Sequence, residues 1–85
     1  MQSAVITVTT TATLVVAADD IPRTVYLHNA GGATVYLGNS SVTTSSGFHL
    51  PNGDTMTIIV PQRETIYGIT GGGSCDIALL RPNAD

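Results

Sequence analysis

The chain has no lysine and no tryptophan, a single cysteine, and only three cations, Arg23, Arg63 and Arg81. Binding to a nucleic-acid backbone draws on clustered Lys and Arg through counterion release. Three arginines spread along a chain of net charge −3 do not supply such a cluster. Nucleic acid is therefore set aside as a direct partner, and an acidic membrane surface with it. Cys75 cannot form an internal disulfide, which excludes a disulfide-stapled miniprotein. It opens an apolar strand with no His or Lys beside it in sequence to activate the thiol, so it reads as a small packing residue. No apolar run approaches the roughly 18 residues that span a bilayer. Residues 12–18 are apolar, but the stretch before them lacks the Lys or Arg that opens an export signal, and its alternation reads as strands. Charged residues make up only 11% of the chain. So little charge is read in one of two ways: much of the surface faces copies of the chain or a larger assembly rather than bulk water, or it is a plain Thr-rich β surface.

What remains is a Thr-rich, β-branched chain of 85 residues, enough for one domain. A chain this size buries only roughly 60–65% of the surface it exposes when unfolded, which allows one core but no two-lobed active site. Period-two alternation runs almost throughout. Ile6 and Val8, Leu14 and Val16, Val25 and Leu27, Val35 and Leu37, Met56, Ile58 and Val60, Tyr67 and Ile69, and Ile77 and Leu79 each fall on one face of a strand. Turn chemistry separates these segments at Pro22, in the Ser/Thr/Gly stretch 39–47, at Pro51-Asn52-Gly53-Asp54, at Pro61 and at Gly71-Gly72-Gly73. The pattern predicts an all-β fold, a small antiparallel β-sandwich or barrel of about seven strands. Residues 1–20 are expected to form N-terminal strands or an arm at an interface, and residues 21–85 the sandwich body.

The tetrapeptide TVYL occurs twice, at 24–27 and 34–37, around a glycine pair. The spacing predicts two arms of one hairpin, with Val25 opposite Leu37, Leu27 opposite Val35, and Tyr26 opposite Tyr36. The same arithmetic predicts a hairpin pairing Tyr67 with Leu79 and Ile69 with Ile77. The register around Asn52-Gly53 stays open, with Phe48 and Leu50 either sharing a face with Met56 and Ile58 or turned away from it.

No constellation of catalytic groups stands out. The hydroxyls alternate as strand-surface threonines, Glu64 and Asp76 are isolated carboxylates, and the Gly71-Gly72-Gly73 run has no Lys after it and so is no phosphate loop. His28 and His49 match no ligand spacing, and Asp19-Asp20 reads as a strand end. The chain is therefore expected not to be an enzyme and to need no cofactor or metal. Tyr26, Tyr36 and His28 would form one amphipathic patch, either an interface or the second inner face of a sandwich, with the tyrosines shielded from water either way. The candidate interface residues are Ile6, Val8, Tyr26, His28, Tyr36, Phe48 and His49.

The words VYLHNAGGATVYLGNSSVTTSSGFHLPNGDTMTIIV and ETIYGITGGGSCDIALLR carry a resemblance. The order of Val35–Gly38, Val42-Thr43, Gly47-Phe48, Leu50, Gly53, residues 64–69 and residues 77–80 resembles a group of small surface proteins and domains of tailed-bacteriophage virions. It covers the chain from Thr24 onward and leaves the first 20 residues uncovered. The resemblance implies a small β-sandwich, often homotrimeric, without catalytic residues. It implies a capsid decoration (cement) protein on the outer surface of the head, with the major capsid protein as partner. The alternative it leaves open is a β module of a tail or head fibre.

Overall fold

A computed structural model describes residues 2–81, and Met1 and residues 82–85 of the expected division lie outside them. The structure is all-β, with no helix among the described residues. Its eight strands are β1 (Gln2–Val8), β2 (Thr13–Val16), β3 (Arg23–Gly31), β4 (Val35–Gly38), β5 (Phe48–Leu50), β6 (Thr55–Val60), β7 (Ile66–Thr70) and β8 (Cys75–Arg81). The strand beyond the expected seven is β5. Two four-stranded antiparallel sheets form, in the orders β1-β8-β3-β6 and β2-β7-β4-β5. We refer to them as the first and second sheet. This is the connectivity of an eight-stranded jelly roll, two Greek keys wrapped into a double sheet. Every ladder joins one of the first four strands to one of the last four.

The hairpin reading of the repeated tetrapeptide is corrected. β3 pairs with β6 and β8, and β4 with β5 and β7, so the two copies lie in opposite sheets. Val25, Leu27, Val35 and Leu37 all point inward, as their alternation requires, but from opposite sides of the core. Tyr26 and Tyr36 consequently point away from each other. The second hairpin fails in the same way, because β7 and β8 also belong to different sheets. Ile66, Gly68 and Thr70 face inward from β7 while Tyr67 and Ile69 face out, the reverse of the expected parity. In β2 a bulge between Leu14 and Val16 turns Val15 and Val16 into the core and leaves Leu14 exposed. Neither arrangement considered for Asn52-Gly53 occurs. β5 and β6 face each other across the sandwich, one in each sheet.

The N-terminal strands are not set apart from the body. β1 is laddered to β8 along its full length, from Gln2 opposite Arg81 to Val8 opposite Cys75. β2 pairs with β7, and Thr9 accepts a hydrogen bond from the Thr70 amide. Val8, Val15 and Val16 are core residues packed with Val25, Leu27, Val35, Ile77 and Leu79.

The link from β3 to β4 must leave one sheet and enter the other within three residues. Gly32 makes this step at φ 119°, and a Cβ placed there would lie 2.6 Å from the Ser74 carbonyl oxygen. Both the dihedral and the fixed backbone neighbour exclude a side chain. Gly32→Ala is expected to destabilise the protein by about 2–4 kcal/mol, read as a lowered urea midpoint. Gly72→Ala is the control, since a Cβ there meets nothing within 4 Å. Equal midpoints for the two variants would refute this account of the crossover.

Candidate interaction face

The outer face of the first sheet gathers side chains from four strands in two rows. Pairing places Ser3, Leu80, Tyr26 and Thr57 side by side, and next to them Val5, Ala78, His28 and Thr55. Neither row contains Asp, Glu, Lys or Arg. Alanine and the short hydroxyl residues form a floor between taller neighbours, leaving a shallow groove of about 420 Å³ over Tyr26, His28, Thr57, Ala78 and Leu80. Val5 is 63% exposed, Tyr26 45% and Leu80 39%. Ile59, opposite Thr24 at the end of the face, is 70% exposed. At the other end the Asp76 carboxylate accepts a hydrogen bond from the Thr7 hydroxyl at 2.9 Å.

A flat, uncharged face with an aromatic ring at its centre fits protein recognition. Interface cores are depleted in charge and enriched in aromatics, and a tyrosine there buries area while its hydroxyl keeps a polar partner. His28 lies between Ala78 and Thr55 in the ladder.

The remaining expected interface residues are dispersed. Tyr36 and His49 are neighbours on the outer face of the second sheet, their rings edge to face with centroids 4.8 Å apart. Tyr36 is partly covered, because the loop of residues 39–47 brings the Gly47 backbone against it. Phe48 is 66% exposed at the edge of the same sheet. Ile6 faces inward, half-buried against the core. Val8 is fully buried and has no surface to offer, which removes it from the candidate interface. The expected patch of Tyr26, His28 and Tyr36 is thus split between two opposite faces. The expectation that the tyrosines are shielded also fails for Tyr26 in the single chain, which presents its ring to solvent. His28 and His49 lie in different sheets, and no group of metal-ligating side chains forms among the described residues.

Besides Thr70, two inward-facing polar residues escaped the sequence reading. Arg23 is 6% exposed, and its guanidinium donates to the carbonyl oxygens of Ala17, Ile21, Pro61 and Glu64. It ties the β2–β3 and β6–β7 connections together and is not available to an external anion. Asn29 is wholly buried at the other end of the same inward stripe. Its amide donates to the carbonyl oxygens of Ala33 at 2.8 Å and Leu50 at 2.9 Å. Its Oδ1 accepts from the Gly31 amide at 3.0 Å and the Cys75 thiol at 2.9 Å. Cys75 is 2% exposed and packs in the core. The signal for both polar residues was parity, since 23, 25, 27 and 29 share one face of β3.

Comparisons with protein-family models, with curated proteins and with solved structures yield no match for this chain.

Proposed function

We propose that this is a structural virion protein, a capsid decoration protein of a tailed bacteriophage that binds the outer capsid surface as a homo-oligomer. In this reading it has no catalytic residues and no cofactor. The observation that carries the proposal is the uncharged outer face of the first sheet, centred on Tyr26 and open to solvent in the single chain. Reinforcing a shell requires contact area rather than a pocket, and a flat face of mixed apolar and hydroxyl side chains provides it. The resemblance from Thr24 onward supplies the phage context. Jelly rolls occur among viral capsid and lectin domains. A fold alone does not carry a function, so the weight rests on the face and the resemblance.

The test is the number of copies of this chain per major capsid protein in purified virions, measured by quantitative mass spectrometry. A ratio near one, or a simple fraction of it, supports a role across the whole lattice. A handful of copies per particle moves the protein to a tail or fibre, and its absence from particles overturns the proposal.

The docking face has its own test. Tyr26→Asp combined with Val5→Asp places two carboxylates on the exposed face without touching the core. Binding to undecorated heads is expected to weaken by more than about tenfold, with the circular dichroism spectrum unchanged. Wild-type binding by this variant would show that another surface meets the capsid.

A further inference from the structure

The two sheets leave one side of the sandwich open, where β6 of the first sheet lies over β5 of the second. An apolar groove of about 240 Å³ opens there, lined by Leu37, Phe48, Met56, Ile58 and Ile66. Phe48 has the inward parity of Leu50 yet remains 66% exposed, because none of the described residues covers it. The strand above it, β6, reads TMTIIV. It is a sheet edge with one row of backbone groups facing away from β3, and it has none of the usual guards. It contains no charge, no proline and no bulge, and exposed Ile59 lies on its outer side.

We propose that β6 pairs antiparallel with β6 of a second copy of this chain, about a two-fold axis at Ile58, joining two first sheets into one of eight strands. The residues at the two ends of the strand select this occupant and the antiparallel orientation. Asp54 precedes β6 and Arg63 follows it, and both side chains are exposed. In an antiparallel pair centred on Ile58, Met56 faces Val60 and Thr57 faces Ile59. The chain turns back after β6, with the Glu64 amide donating to the Pro61 carbonyl, so Asp54 at the start of each strand comes near the turn of the other copy that presents Arg63, giving an acid–base contact at each end. The central uncharged stretch meets itself without repulsion. Beneath the joined edge, Met56 and Ile58 of each copy approach the groove of the other, so both Phe48 rings are covered in a shared apolar layer. Such a contact is isologous and closes at two copies. A three-fold association would need a different surface.

The test is sedimentation equilibrium of the purified protein over a concentration series, with no capsid present, so that its outcome is independent of the virion proposal. The expected mass is twice that of the 8.8 kDa chain. Thr57→Lys with Ile59→Lys is expected to give a monomer with an unchanged circular dichroism spectrum, since both side chains point outward. Asp54→Arg and Arg63→Asp should each raise the dimer dissociation constant by about tenfold, and the double reversal should restore it. Aspartate tolerates the positive φ of 65° at position 63. A monomer at every concentration, a trimer, or a dimer indifferent to both the lysine pair and the charge reversals would overturn the proposal.

Discussion

Asn29→Ala is expected to remove most of the stability of this protein. The side chain holds together β3, the crossover to β4, the end of β5 and the start of β8. Its backbone extends the junction, with the amide donating to Asp54 and the carbonyl accepting from Gly53 in the β5–β6 turn. Truncation leaves the Gly31 amide and the Leu50 carbonyl without the partner that Asn29 gives them, while the Ala33 carbonyl keeps only the Cys75 thiol at 3.3 Å, and the site is too deeply buried for bulk water to replace the amide. Each of the two unpaired groups costs about 1–3 kcal/mol, so a loss of roughly 2–6 kcal/mol is expected. Against the 5–15 kcal/mol typical of a domain, that leaves little. Urea denaturation followed by circular dichroism provides the measurement. A loss below about 1 kcal/mol would mean that the crossover is held by its glycines and not by this amide.

Deleting residues 1–10 is expected to abolish cooperative folding. Taken as an arm, this segment could be lost without harm to the rest. In the sandwich it supplies a whole edge strand and the fully buried Val8. Its removal strips β8 of one of its two partners and uncovers the apolar interior at Ile77 and Leu79. It also takes Thr9, whose carbonyl accepts the Thr70 amide at the end of β7. The truncated chain should show no cooperative thermal transition and poor dispersion of its amide proton resonances. A sharp transition near that of the full chain would instead make β1 a dispensable addition to a seven-stranded body.

Residue alternation made the faces legible but not the partners. Parity alone put Val25 with Leu27 and Val35 with Leu37 on one face of their strands, and in the structure those faces are inward. Which strand lies beside which is a separate question, and loop length could not decide it. A link of three or four residues spans either the roughly 5 Å between hairpin neighbours or the roughly 10 Å between packed sheets. Here the short links at 32–34, 51–54 and 71–74 all cross between sheets, while the long loop at 39–47 joins the one consecutive pair within a sheet. Loop tightness pointed the wrong way. β5 escaped notice because three residues, Phe48, His49 and Leu50, are too few to show a period. Leu14 was misplaced because a bulge resets the phase, and nothing in TLVV announces one. At the candidate face, Tyr26 and His28 were read from their shared outward parity. The neighbours that complete it, Val5, Ala78 and Leu80, come from the two ends of the chain, and only the ladder β1-β8-β3 brings them there.

The division of every ladder between the first four strands and the last four governs how the molecule comes into being. As the chain leaves the ribosome, β1 to β4 emerge with nothing to pair with, because β1 and β3 await β8 between them, and β2 and β4 await β7. The first ladder becomes available only when β5 follows the loop at 39–47, and the first sheet is complete only with its last strand. Assembly is therefore a late, nearly simultaneous closure rather than a stepwise accretion. Such non-local topologies fold in roughly milliseconds to seconds. During that interval a Val- and Ile-rich half-chain with unpaired backbone is exposed to its neighbours, so the hazard of misassociation falls on the nascent protein rather than on the finished one.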